Sequence, residues 1–182
     1  MAALPDSAAI AAREAESVER RHLMKPILLA TDGSPSAAEA TREAIELART
    51  LGAPLLATAV EHVTTISYGY YGYAEIYAEL RKTEAERIAG VLDEVAGIAR
   101  EVGVECETVA LEGPIVEKIC ELARERHAGM IVLGAHGWGA IRSLVFGSVS
   151  VGVLHEARCP VLVARGVTAG ETTWVDDRVA AA

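Results

Sequence analysis

The stretch that decides the fold is Met130–Ser150, which begins with the sequence MIVLGAHG and ends, after nine further residues, with GSVS. The apolar run Met130–Leu133 has the length of a buried strand, and a glycine loop follows it directly. Glycine lets backbone N–H groups approach an anion closely, and Gly147 stands with two serines at a predicted helix start, where unpaired N–H groups and the helix dipole favour negative charge. This order of strand, glycine loop and helix start predicts a phosphate-binding site, and hence a nucleotide site.

Four more strands are predicted, three before this stretch and one after it. Three of them are continuously apolar, namely Pro26–Thr31, Pro54–Val60 and Pro160–Ala164, whereas Val102–Ala110 shows an alternating pattern. Continuous hydrophobicity indicates a strand that is buried on both faces, as in a parallel sheet covered by helices on both sides. The pattern therefore predicts an α/β fold with a doubly wound, open, five-stranded parallel sheet.

Helical patterns lie between these strands. Apolar residues recur at three- and four-residue steps over residues 37–51, and two starts of this helix are open: Ser34 with Pro35 at the first helical position, or Ser36 with Glu39 as a capping box. A charged amphipathic stretch covers about residues 74–100, and another helix opens at Gly113 and Pro114. The last helix, over residues 148–157, is expected to turn three apolar residues inward: Val149, Val153 and Leu154.

The predicted topology also places the site. Ligands of doubly wound sheets bind beyond the carboxyl ends of the strands, at the point where the winding direction reverses. The first strand ends at Asp32 and the fourth at Gly134, and each runs into a loop with turn or glycine residues. If these two strands are neighbours, one crevice holds both loops.

Composition narrows the classes of function. The 182 residues include 17 Lys and Arg against 26 Asp and Glu, a formal net charge of −9, which disfavours nucleic acids and anionic membranes as partners. No apolar stretch reaches the roughly 18 residues that span a bilayer, and no signal-peptide pattern is present, so we expect a cytoplasmic protein. The three cysteines have no metal-binding or disulfide spacing and are expected to be reduced.

Two segments outside the main pattern are predicted to be extensions. Residues 1–23 are rich in Ala, Glu and Arg and are expected to form a helical or disordered N-terminal extension. Residues 166–182 show no sustained periodicity and are interpreted as a C-terminal tail. The domain is therefore placed at residues 24–165. Within it, the tyrosine- and glycine-rich segment Tyr68–Tyr77 receives no functional assignment.

Three features together resemble the universal stress protein family over about residues 24–165. They are the run Ile27–Ser34 (ILLATDGS), the glycine spacing from Gly134 to Ser148 (G-x2-G-x9-G-S), and the ending Cys159–Val163 (CPVLV). The resemblance implies a parallel sheet with the strand order 3-2-1-4-5, an adenine nucleotide α-hydrolase-like architecture. It also implies a homodimer formed through the edge strand 160–164.

The resemblance further implies which residues bind ligand. Positions matching Ala30, Thr31 and Asp32 line the adenosine pocket of nucleotide-binding members, and the position matching Val60 contacts adenine. Ribose and phosphates are expected at Gly134, Gly137, Gly147, Ser148, Val149 and Ser150. The predicted site is completed by Leu133, Ala135 and His136. The expected ligand is ATP or another adenine nucleotide, with Mg²⁺ as an optional companion ion.

Several of these residues have a second interpretation. Asp32 can accept from an adenine amino group or a ribose hydroxyl at the nucleoside end, or it can be a helix-cap or turn residue of its Asp-Gly-Ser-Pro sequence. Ser148 and Ser150 can cap the last helix, and the glycines can supply turns with positive φ. His136 has no evident nucleophile beside it, so we expect it to position phosphate or solvent rather than to catalyse. Trp138 stands where a basic or polar residue is expected in many family members, which leaves Arg142 or the backbone to support phosphates.

The leading hypothesis is a stress-response regulator that binds an adenine nucleotide and is read by a protein partner. The chain has no Gly-x4-Gly-Lys-[Ser/Thr] sequence, so vigorous ATP hydrolysis is not expected. Two alternatives are open: a slow adenine-nucleotide hydrolase or transferase, and an interaction module that binds a cyclic nucleotide or none.

Overall fold

The computed structural model describes residues 24–61, 74–137 and 146–165, and for residues 74–77 it describes the backbone alone. The predictions for the extension 1–23, the tail 166–182, most of the tyrosine segment, Trp138 and Arg142 lie outside these residues. Among the residues that are described, no helix is long and apolar enough to cross a membrane.

Five strands and four helices alternate along the described chain. Their bounds are β1 Ile27–Ala30, α1 Pro35–Leu51, β2 Leu55–Glu61, α2 Ala74–Glu101, β3 Cys106–Glu112, α3 Ile115–Glu125, β4 Met130–Gly134, α4 Ser148–Glu156 and β5 Val161–Ala164. All strand pairs are parallel, and the strand order is β3-β2-β1-β4-β5. The predicted doubly wound α/β fold with the order 3-2-1-4-5 is confirmed.

The sequence of the central strand β1 is continuously apolar because both of its faces are buried. Leu28 and Leu29 point to opposite faces of the sheet, and both are 0% exposed. Leu29 belongs to the core that the sheet forms with α1 and α2, whereas Leu28 belongs to the core formed with α3 and α4. Each face of the sheet is therefore covered by two helices, so neither face of β1 needs polar residues.

The structure shows which of the two predicted starts of α1 is correct. Ser34 is the N-cap residue, with its Oγ accepting from the Ala37 N–H at 3.2 Å, and Pro35 follows at the first helical position. Glu39 pairs with Arg42 instead of forming a capping box. The Asp-Gly-Ser-Pro sequence is therefore a turn that ends β1 and begins α1 within five residues.

Two sequence predictions are corrected. The third strand begins at Cys106 rather than at Val102, and it packs through Val109 and Leu111, while Thr108 and Ala110 are exposed. The predicted alternation is present over residues 108–112, but its inward residues are Val109 and Leu111 instead of Thr108 and Ala110.

The second correction concerns the last helix. Leu154 was expected to face inward, but it is 47% exposed, because α4 packs on the sheet through Ser150 and Val153. Val149 and Val153, four positions apart, pack into the core with Ser150 beside them, and Leu154 lies about 100° further round the helix from Val153, toward the outside.

Candidate functional site

The carboxyl ends of β1 and β4 form one edge of a cleft at the point where the winding direction reverses. The two strands are direct neighbours, with Ala30 paired to Leu133. The helix after β1 covers one face of the sheet and the helix after β4 covers the other, which leaves a gap between their starts. The cleft in this gap has a volume of about 430 Å³, within the range of small-molecule sites.

The structure brings twelve of the thirteen predicted site residues to this cleft. They are Ala30, Thr31, Asp32, Val60, Leu133, Gly134, His136, Gly137, Gly147, Ser148, Val149 and Ser150. Ala135 does not line it, because its side chain is buried and its backbone N–H donates to Ala164 O. Ligand contact by these residues stays a prediction.

Four lining residues were missed by sequence reasoning: Ala37, Thr58, Ile115 and Ile119. Together with Val60 they give the cleft an apolar side. Thr58 is buried with its hydroxyl donating to Val109 O at 2.8 Å, so it adds little polarity to the cleft. The two isoleucines could have been predicted from the sequence, because the first turns of a helix that follows a parallel strand lie at the carboxyl end of the sheet.

Hydrogen bonds hold the glycine loop from both sides. On the side of α4, the Ser150 hydroxyl donates to Gly134 O at 2.8 Å, and the Gly147 N–H donates to Ala135 O at 2.7 Å. On the side of α1, the His136 N–H donates to the Ser36 hydroxyl at 3.3 Å. The loop between β4 and Gly137 is thus fixed before any ligand arrives.

Close packing explains why two positions of the site are glycine. A Cβ at Gly134 would lie 2.8 Å from the backbone of Ser36, and a Cβ at Gly137 would lie 2.6 Å from Asp32 Oδ2. The glycines with positive φ are elsewhere among the described residues, for example Gly33 and Gly113. Gly134 and Gly137 are therefore required by the approach of neighbouring atoms and not by a turn conformation.

The anion-binding amides form a smaller set than the sequence suggested. The N–H groups of Ala135, His136 and Gly147 are used within the protein. Within residues 24–61, 74–137 and 146–165, no protein acceptor takes the N–H groups of Gly137, Ser148, Val149 and Ser150. Three of these four belong to the first turn of α4, where the helix dipole adds to their attraction for an anion.

Asp32 has a structural role in its turn. Its Oδ1 accepts from the Ser34 N–H at 2.9 Å, which closes the turn before α1. Its other carboxylate oxygen lies against Gly137 in the glycine loop. The turn interpretation of Asp32 is thereby confirmed, and a ligand role for the same carboxylate is compatible with its place in the cleft lining.

None of the three cysteines lines the cleft. Cys106, Cys120 and Cys159 are free thiols, and burial raises the pKa of each above its ordinary value. In the part of the chain that is described, no group of three or more His, Cys, Asp or Glu residues could hold a metal ion.

Comparison with known proteins identifies the family of the chain. Residues 24–165 match the Universal stress protein family. A universal stress protein of Methanocaldococcus jannaschii is 34% identical over 145 residues, which cover 79% of this chain and 84% of that protein. One from Mycobacterium tuberculosis is 33% identical over 77% of this chain, which spans only 45% of that longer protein. The chain belongs to the universal stress protein family.

Solved structures agree with this assignment. UspA from Lactobacillus plantarum is 25% identical, with a TM-score of 0.71 over 78% of this chain and 97% of that one. A universal stress protein in complex with cAMP is 26% identical, with a TM-score of 0.58 over 77% and 96%. A universal stress protein from Archaeoglobus fulgidus in complex with dAMP is 27% identical, with a TM-score of 0.52 over 78% and 98%.

Proposed function

We propose that this protein is a cytoplasmic stress-response regulator that binds an adenine nucleotide in the cleft between β1 and β4. One observation carries the proposal: a single cleft contains both four backbone amides that are available to an anion and an apolar wall that suits a base. The solved relatives that hold cAMP and dAMP support adenine nucleotides as the ligand class.

The two ends of the cleft suggest how the ligand lies. The base would contact Val60, Ile115 and Ile119, because these side chains offer apolar surface and no competing charge. A phosphate would receive the N–H groups of the first turn of α4. Asp32 lies beside the glycine loop and would accept from a ribose hydroxyl between the two ends.

The number of available amides bears on which nucleotide binds. Four N–H groups suit a single phosphate group, as in AMP or a cyclic nucleotide. The further phosphates of ATP would need other donors, with Mg²⁺ as a companion ion held by the phosphates themselves. We retain ATP as a ligand candidate beside AMP and cAMP, and a cyclic nucleotide is favoured specifically by the solved relative that carries one.

The direct test is mass spectrometry of small molecules released from the purified protein. We expect an adenine nucleotide from the wild-type chain and its loss from Gly137→Val, because the added side chain displaces the Asp32 carboxylate and covers the Gly137 amide. Gly97→Ala is the matched control, since a Cβ there meets no atom within 4 Å. A wild-type protein that releases no nucleotide and binds none when AMP, cAMP or ATP is added would overturn the proposal.

We also propose a homodimer through β5. This strand ends the sheet, and Val161, Leu162 and Val163 are only partly buried, so a second copy would cover apolar edge residues and pair the open backbone groups. Light scattering at micromolar concentration should give the mass of two 19.2 kDa chains. The mass of one chain would contradict this part of the proposal.

A further inference from the structure

Arg87 connects the long helix α2 to the turn that carries Asp32. Its Nη1 donates to the backbone oxygen of Asp32 at 2.9 Å. The partners are 55 residues apart in sequence, and Arg87 does not line the cleft. No motif in the sequence singles out this arginine, so its contact with the turn is visible only in the folded chain.

Two neighbours fix the arginine in this position. Glu84, one turn earlier on α2, accepts from Arg87 Nε at 2.9 Å and from Nη2 at 2.7 Å. This two-point contact orients the planar guanidinium, which leaves Nη1 for the turn. The hydrogen-bonded Glu84 raises the pKa of Arg87, and the charge of Asp32 adds to the effect, so Asp32 lies within electrostatic reach.

The turn also packs directly on α2. Gly33 has a φ of +73°, and a Cβ at this position would lie 2.7 Å from a methyl group of Val91. The peptide after Asp32 is therefore pressed against the same helix that carries Arg87. α2 thus holds the turn that carries Asp32 by a hydrogen bond from Arg87 and by close packing of Val91.

We propose that Arg87 is a positioning residue that holds the Asp32 turn in place and offsets the negative charge of Asp32 beside an anionic ligand. The ligand part rests on the proposed nucleotide site. A phosphate bound by the first turn of α4 would lie near the Gly137 loop, against which the Asp32 carboxylate packs. The Arg87 guanidinium, held at the Asp32 backbone oxygen, adds positive charge near that carboxylate. Glu84 offsets part of this charge, and the rest lowers the repulsion between the two anions.

The test compares Arg87→Met and Arg87→Lys with a matched control, Arg49→Met. Arg49 makes the same two-point contact to a glutamate one turn earlier, Glu46, but it lies on α1 away from the turn. By calorimetry, Arg87→Met should weaken AMP binding about three- to tenfold, the range of one ordinary hydrogen bond, and should weaken adenosine binding less. Arg87→Lys should recover part of the loss, because it keeps the charge.

Amide hydrogen exchange in the absence of ligand supplies a second readout. The Ser34 N–H donates to Asp32 Oδ1, so its exchange should be about fivefold faster in Arg87→Met than in the wild type or Arg49→Met. Unchanged AMP binding together with unchanged Ser34 exchange would overturn the proposal. Equal losses for AMP and adenosine without recovery in Arg87→Lys would also overturn it, since they would show only a disturbed helix.

Failure of the proposed function gives a different result. If the wild-type chain binds none of AMP, cAMP, ATP and adenosine, the nucleotide site is rejected by that observation alone. The exchange rate of the Ser34 amide then decides by itself whether Arg87 holds the turn.

Discussion

At the scale of single residues, serine hydroxyl groups form many of the hydrogen bonds that fix the site. Ser34 caps α1 and also donates to His136 O at 3.4 Å, while Ser36 accepts from the His136 N–H. Ser150 is buried and donates to the backbone of the glycine loop. These serines hold backbone groups of the protein, which leaves ligand contact to the amides of the loop and of α4.

Ser150→Ala is predicted to destabilise the protein. The change removes the hydroxyl that donates to Gly134 O and approaches Ala135 O at 3.3 Å, and it leaves buried acceptors with fewer partners. We expect the free energy of unfolding to fall by about 1–2 kcal/mol, measured by urea denaturation.

Ser148→Ala is the matched control for this prediction. Ser148 is exposed at the first position of the same helix, so the substitution should change the free energy of unfolding by less than about 0.5 kcal/mol. Equal effects of the two substitutions would show that the Ser150 hydroxyl does not hold the loop.

At the scale of elements, the edge strand β3 is tied to the end of α3 by charge. Arg126, the residue that follows α3, donates from its two terminal nitrogens to the two carboxylate oxygens of Glu107, at 2.7 and 2.6 Å. These hydrogen bonds to Arg126 lower the pKa of Glu107 below its ordinary value. Both side chains are about half exposed, so the pair contributes modestly to stability.

The pair predicts a definite pH dependence. A carboxyl group whose pKa is lowered in the folded state stabilises that state above its unfolded pKa, about 4.3 for Glu, and the contribution disappears as the pH falls through the lower, folded value. A double-mutant cycle with Glu107→Gln and Arg126→Met should therefore give a favourable coupling at pH 7 that decreases as the pH falls below about 4. A coupling that grows on acidification would contradict the assigned sign.

Elements differ in how well their sequence predicts them. Strands buried on both faces, such as β1 and β4, are predictable because their apolar runs are continuous and end at turn residues. The edge strand β3 was placed too early in the chain, and the outward position of Leu154 was missed. Both depend on which neighbouring elements bury each residue, and the sequence of a single element does not contain that information. The capping alternatives at α1 also needed the structure, since both serines satisfy the rules for a helix start.

At the scale of the whole molecule, the strand order explains why the cleft residues could be predicted. Placing β1 beside β4 brings Asp32 next to Gly137 although they are more than a hundred residues apart, and the family resemblance implied that order. The ties between distant segments were not predictable, because the Ser36 contact to His136 and the Arg87 contact to Asp32 depend on side-chain positions in the folded chain. The apolar side contributed by Ile115 and Ile119 of α3 was missed although it was predictable, because the start of α3 follows the carboxyl end of β3 at the same end of the sheet.

The central claim is that the N–H groups left open at Gly137 and the start of α4 receive the phosphate of an adenine nucleotide. Titration of the ¹⁵N-labelled protein with AMP, followed by amide chemical shifts, tests it most directly. We predict saturable changes that are largest at Gly137 and Ser148–Ser150, and small ones at Gly103 and Gly129 on the opposite edge of the sheet. Saturable changes that leave Gly137 and Ser148–Ser150 unmoved, or no changes at all, would contradict it.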